Sequence, residues 1–107
     1  MKDKAIRGII TLLAVVLTAR AGRITFNGHT ETWYNLPMHN IERRAVQNGY
    51  PDDFWIRADG MKMISHYIIC AGAAGRYGEI VQTSRGEGII LDTHQTAPDV
   101  IDLAVTW

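Results

Sequence analysis

At 107 residues and 12.0 kDa the chain holds one small domain, which excludes a multi-domain enzyme with a separate cofactor module. Hydrophobic residues make up 47% and charged residues 21%, so the signature of disorder is absent. Eleven Lys and Arg balance eleven Asp and Glu, which speaks against nucleic acid as a partner, and the single cysteine, Cys70, excludes an intrachain disulfide and a multi-cysteine zinc site.

Residues 1–21 have the three-part layout of a secretory signal peptide. Lys2, Lys4 and Arg7 precede an uncharged run from Gly8 to Leu17, and Ala19-Arg20-Ala21 places small residues two apart. A ten-residue apolar run is half of the roughly 20 needed to span a bilayer as a helix, so no stable membrane insertion is expected. The alternative is a buried strand or helix of the domain itself. Cleavage after Ala21 removes four of the eleven basic residues (Lys2, Lys4, Arg7, Arg20) and one of the eleven acidic ones (Asp3), leaving seven against ten, net −3. Residues 22–107 then form a single secreted or envelope-associated domain.

Further along, Ile24-Thr25-Phe26 and Thr30 to Tyr34 flank Asn27-Gly28, the pair best suited to a type I′ hairpin turn. After Pro37, Asn40 is placed to cap a short helix with Ile41 and Ala45 on one face and Gly49 at its end. Phe54 to Arg57, a turn at Asp59-Gly60, and an apolar run from Met61 to Ala71 read as strand, turn, strand. Gly72, Gly75 and Gly78 interrupt the chain. Glu79 to Thr83 and Ile89 to Thr93 form a second hairpin about Ser84 to Gly88, His94 to Pro98 is loop, and Val100 to Thr106 is the last strand. Six or seven short strands with one short helix predict a mainly β fold, a small closed barrel.

Two carboxylates stand out. Asp92 ends an apolar strand and Asp102 sits between Ile101 and Leu103, although aspartate has poor strand propensity and is costly to bury ionised. Strand alternation places Ile101, Leu103 and Val105 on the core face and Asp102 on the opposite one. Asp102 is then either an ordinary solvent-facing or loop-capping aspartate, or one of a carboxyl pair in which a negative neighbour keeps a general acid protonated.

The stretch Tyr77-Gly78-Glu79-Ile80-Val81, Gly88-Ile89-Ile90-Leu91-Asp92-Thr93 and Val100-Ile101-Asp102-Leu103 resembles the three-aspartate domain, found in small secreted firmicute proteins and in membrane-bound lytic transglycosylases. The resemblance covers Ile68 to Leu103, about a third of the chain. It implies a double-psi β-barrel, related to rare lipoprotein A and expansins, that cleaves the glycan strands of peptidoglycan without a cofactor or metal. Asp102 takes the place of the catalytic acid and Asp92 that of the aspartate facing it. Thr93, His94 and Tyr77 are expected to line the substrate groove. Residues 69–73 carry no carboxylate where the family has its first aspartate, and His94-Gln95 stand where Gly-Gly usually follows Asp-Thr.

Other constellations are thinner. His29, His39, His66 and His94 lack the spacings of a zinc site, and Cys70 lies in an apolar run typical of an inert buried thiol, not of a nucleophile paired with His94. Arg43-Arg44 reads as a helix-surface pair. Two functions are therefore carried forward: a lytic-transglycosylase-like enzyme acting through Asp102, and an inactive barrel of the same fold that binds peptidoglycan or an envelope or phage protein.

Overall fold

A computed structural model describes residues 22–94 and 97–107. The proposed signal segment lies outside them. Among the described residues eight strands and one α-helix follow in chain order: β1 (Arg23–Phe26), β2 (His29–Tyr34), α1 (His39–Gln47), β3 (Phe54–Ile56), β4 (Lys62–Ile64), β5 (Tyr67–Ala71), β6 (Ile80–Thr83), β7 (Gly86–Asp92) and β8 (Val100–Ala104), with a 3-10 turn at Ala74–Arg76. Among the described residues no helix is long and apolar enough to cross a membrane.

Local chemistry accounts for most boundaries. Asn27 and Gly28 both take positive φ, 52° and 86°, as the hairpin between β1 and β2 demands. The start of α1 differs from expectation: Met38 is the N-cap and no side chain caps it, while Asn40 lies inside the first turn and accepts a hydrogen bond from Arg43 at 2.8 Å. Met38 is buried instead, so the helix entry is fixed by packing. Its end behaves as expected, with Gly49 at φ 92° and the Tyr50 amide donating to the Ala45 carbonyl. The run from Met61 to Ala71 is not one strand. Ser65, at φ 50°, turns it back on itself, held by Trp55 donating to the Ser65 carbonyl and by the Ser65 amide donating to the Asp53 carbonyl. Ser65-His66 carries no glycine, proline, asparagine or aspartate, so the β-rich sequence offered no turn signal.

The strands form one mixed sheet along the path β1-β2-β8-β5-β4-β3, with β7 on β5 and β6 on β7. Two ladders are parallel, β2 with β8 and β5 with β7; the rest are antiparallel. Among the described residues no ladder joins the ends of this path, so the sheet is open and has eight strands, where six or seven in a closed barrel were expected.

Strands β5, β7 and β8 are buried on both faces, which explains their near-continuous apolar runs. One face packs Ile68, Cys70, Ile90, Ile101 and Leu103 with Trp33 against them. The other packs Ile69, Ile89, Leu91 and Ala104 beneath Ala45 of α1, with Tyr34, Tyr50 and Tyr77 at its margin. Asp102 and Ala104 are both buried on that second face, so the solvent-facing reading of Asp102 is corrected: the strand has no solvent face.

The turn between β3 and β4 shows how exposed charges are used. Arg57 grips both oxygens of Asp59 at 2.9 Å, Arg85 stands 3.5 Å away, and the Met61 amide also donates to Asp59. The Arg57 guanidinium holds the Asp59 carboxyl down at about 2. A depressed folded-state value stabilises the protein above the unfolded value of 3.8, and that stabilisation disappears as pH falls toward 2. Both side chains are about one-third exposed, so solvent screening keeps the effect below about 1 kcal/mol. Asp59→Asn is expected to be slightly less stable than the wild type at pH 7, with the difference closing between pH 4 and pH 2 in denaturant titrations.

Candidate functional site

The site is built around Ala71, at the end of the central strand β5. Ala71 is in register with Asp92 of β7 on one side and with Asp102 of β8 on the other. The β5–β7 register shifts just before it: Cys70 pairs with Ile90 but Ala71 pairs with Asp92, leaving Leu91 as a bulge residue. A one-residue slip moves a side chain to the opposite face of a sheet. The bulge therefore turns Asp92 to the face that Ala71 and Asp102 share, and the small alanine leaves the space between the carboxylates open.

His94 fills that space. Its Nδ1 lies 3.1 Å from Asp92 Oδ2 and its Nε2 lies 3.3 Å from Asp102 Oδ2. Two more donors come from β2, which runs parallel to β8: Thr32 Oγ1 donates to Asp102 Oδ1 at 2.8 Å, and Tyr34 donates to Asp92 Oδ2 at 3.0 Å. The Tyr34 ring meets the imidazole edge-on, 4.9 Å between centroids. Burial, reinforced by the Asp92 charge and hydrogen bond, pushes the Tyr34 phenol far above its usual range, so it serves as a permanent donor. Asp92 and Asp102 are each 8% exposed, and every one of these bonds helps to offset the cost of burying them.

Hydrogen-bond valence constrains the protons. A neutral imidazole has one N–H and one lone pair, so it cannot donate to carboxylates on both sides. One of the two approaches, Nε2 to Asp102 Oδ2, has hydrogen-bond geometry; the other, Nδ1 to Asp92 Oδ2, is a close polar contact.

All five residues singled out by sequence fall in this neighbourhood. Asp92, His94 and Asp102 form the chain, Thr93 lies between two of its members, and Tyr77 joins through a residue that sequence reading dismissed. The guanidinium carbon of Arg44, on α1, stands over the Tyr77 ring 4.1 Å from its centroid, and Arg44 Nη1 donates to Thr93 Oγ1 at 3.2 Å. Arg43, by contrast, turns to its own helix, toward His39 and Asn40. Thr32 and Tyr34 were also missed. Their alternation put them on one face of β2, but only the parallel pairing with β8 makes that face the site.

On the opposite face lies a third buried carboxylate, Glu31, with no exposure. It accepts from the Ser84 amide at 2.8 Å, from Ser84 Oγ at 2.6 Å, and faces His29 Nε2 at 2.9 Å. Glu31 lies between serine and histidine, so the hydroxyl has no imidazole base, and the cluster ties the β6–β7 turn to β2. Burial, with Glu31 and Asp102 nearby, pushes the Cys70 thiol well above its usual range, which agrees with an inert thiol. Among the described residues no three His, Cys, Asp or Glu side chains are grouped to hold a metal ion; the two nitrogens of His94 face different carboxylates.

No family model matches the chain, and no curated protein or solved structure matches it.

Removing the Tyr34 hydroxyl tests the support of the site. Tyr34→Phe keeps the ring but takes a donor from buried Asp92, and is expected to cost about 1–3 kcal/mol in chemical denaturation at neutral pH. A loss near zero would show that Asp92 does not depend on this bond.

Proposed function

We propose that the protein is a secreted, peptidoglycan-cleaving member of the three-aspartate domain family that acts as a lytic transglycosylase does, with Asp102 as its general acid. The observation that carries this reading is the convergence of Asp92 and Asp102 on one imidazole at the end of β5. The family's double-psi barrel, exported location and peptidoglycan partner belong to the same proposal. Two parallel ladders flanking the β5–β8 pair support the fold relation.

Geometry favours Asp102 over Asp92 as the proton donor. Asp92 Oδ2 already accepts from Tyr34 and faces His94, an arrangement suited to a permanent carboxylate. Asp102 has one partner on each oxygen, and its Oδ2 faces His94 Nε2 at the longer distance of 3.3 Å. In the reaction, the Asp102 carboxyl gives its proton to the glycosidic oxygen as the C1–O bond breaks. The resulting carboxylate then takes the proton of the muramyl C6 hydroxyl, whose oxygen closes on C1 to give a 1,6-anhydro ring. No water is consumed, and Asp102 regains its proton. Asp92 and His94 orient it and hold the charge.

A second reading, an inactive barrel that binds glycan or an envelope protein, is favoured by a different observation: the imidazole already stands between the two carboxylates. Incubation of the protein with murein sacculi separates the two. The enzyme is expected to release 1,6-anhydromuropeptides, detected by mass spectrometry. Asp102→Asn is expected to abolish release while remaining folded, and Asp92→Asn to slow it by about 10- to 1000-fold. Full activity in folded Asp102→Asn refutes the assignment, and wild-type protein that binds sacculi without cutting them establishes the binding module.

A further inference from the structure

We propose that Arg44 is the seat for a carboxylate of the ligand, so that the site selects a glycan bearing a free acid group next to the sugar held at Asp102; this rests on the glycan reading above for its sugar half and on Arg44 alone for its anion half. Arg57, Arg76 and Arg85 each pair with an aspartate or glutamate. Arg44 has no acidic partner among the described residues, although it stands beside the loop that carries Asp92. Its bonds are instead to neutral groups: the Tyr77 ring beneath it and the Thr93 hydroxyl.

That posture is held from several sides. Tyr77 packs edge-on to Tyr50 at 6.4 Å, and Asn48 donates to the Arg44 carbonyl at 2.8 Å and reaches the Tyr77 hydroxyl at 3.5 Å. A guanidinium has five donors in a rigid fork, of which Thr93 takes one, so the remaining edge stays available for the two oxygens of a carboxylate. A fork fixed in advance also loses less rotamer entropy on binding.

Position supplies the second half of the argument. Thr93, which accepts from Arg44, is covalently next to both Asp92 and His94, and consecutive Cα atoms are about 3.8 Å apart. The Arg44 guanidinium thus bonds to the residue that separates Asp92 from His94, which brings cation and carboxyl pair within the span of one ligand. The two buried carboxylates repel an anion placed directly on them, so the carboxyl pair takes neutral hydroxyl or ether oxygens and the acid group must lie on the Arg44 side. Within peptidoglycan, a muramyl residue whose lactyl carboxylate is free presents that combination.

The probe is the disaccharide N-acetylglucosaminyl-N-acetylmuramic acid, which lacks the bond cleaved in the proposed reaction, compared with its lactyl methylamide. Binding is measured by calorimetry or NMR titration at low salt. Wild-type protein is expected to bind the acid about 10-fold more tightly than the amide, with the preference shrinking as salt is added. Arg44→Gln is expected to erase the preference, Arg44→Lys to keep part of it, and Arg43→Gln to leave it intact. Equal binding of acid and amide by the wild type, failure to bind either, or a preference that survives in Arg44→Gln overturns the proposal. Sacculi left uncut by a protein that still prefers the acid would sink the enzymatic reading and leave Arg44's assignment standing; sacculi cut without any such preference would do the reverse.

Discussion

Two carboxylates stand on either side of Ala71, nearly out of contact with water, and the structure around them is organised by their need for donors. A buried carboxylate without partners costs several kcal/mol, which a domain of this size cannot absorb. Each supporting feature answers that need. Strand β2 runs parallel to β8 so that Thr32 falls in register with Asp102, and two residues further on the same face Tyr34 reaches across to Asp92. The Leu91 bulge turns Asp92 to the common face, and His94, two residues past it, joins the two acids.

The opposite face of the same strands repeats the solution with different parts. Glu31 is one residue away from Thr32 along β2, so it points to the other side, where Ser84 and His29 satisfy it. The two clusters differ in what they leave available. Glu31 is wholly enclosed and its serine closes a turn, whereas His94 keeps 41% of its side chain exposed. The second is the more open of the two, and there Tyr77, Thr93 and Arg44 also gather.

Much of this was legible in sequence where a signal is local. Asn27-Gly28, Gly49, and the apolar runs of β5, β7 and β8 each act through their own backbone or burial, and Asp102 announced itself by interrupting such a run. What was not legible depends on pairing across distance. The Ser65 turn has no glycine, proline, asparagine or aspartate and is held by Trp55 and Asp53, the helix start is set by burial of Met38, and strand pairing leaves the sheet open where a barrel was expected. Glu31, Thr32 and Tyr34 sit in a strand that alternates polar and aromatic residues without distinguishing its two faces. Arg44 was hidden by its neighbour: Arg43-Arg44 looks like one surface feature, yet the helix turns one guanidinium to the site and the other away.

The identity of residue 71 and that of residue 94 are linked by charge and by volume. With alanine between the strands, two buried carboxylates face one imidazole. A third carboxylate at position 71, in the segment where the three-aspartate pattern carries its first acid, would add a negative charge to the same partly dry space and would occupy the volume that the ring now fills. A glycine at position 94, as in that pattern, would remove the group that faces Asp92 and Asp102 simultaneously, leaving each with only its donor from β2. Alanine at 71 and histidine at 94 therefore fit one another: the small side chain leaves room for the ring, and the ring brings a polar partner to both buried carboxylates.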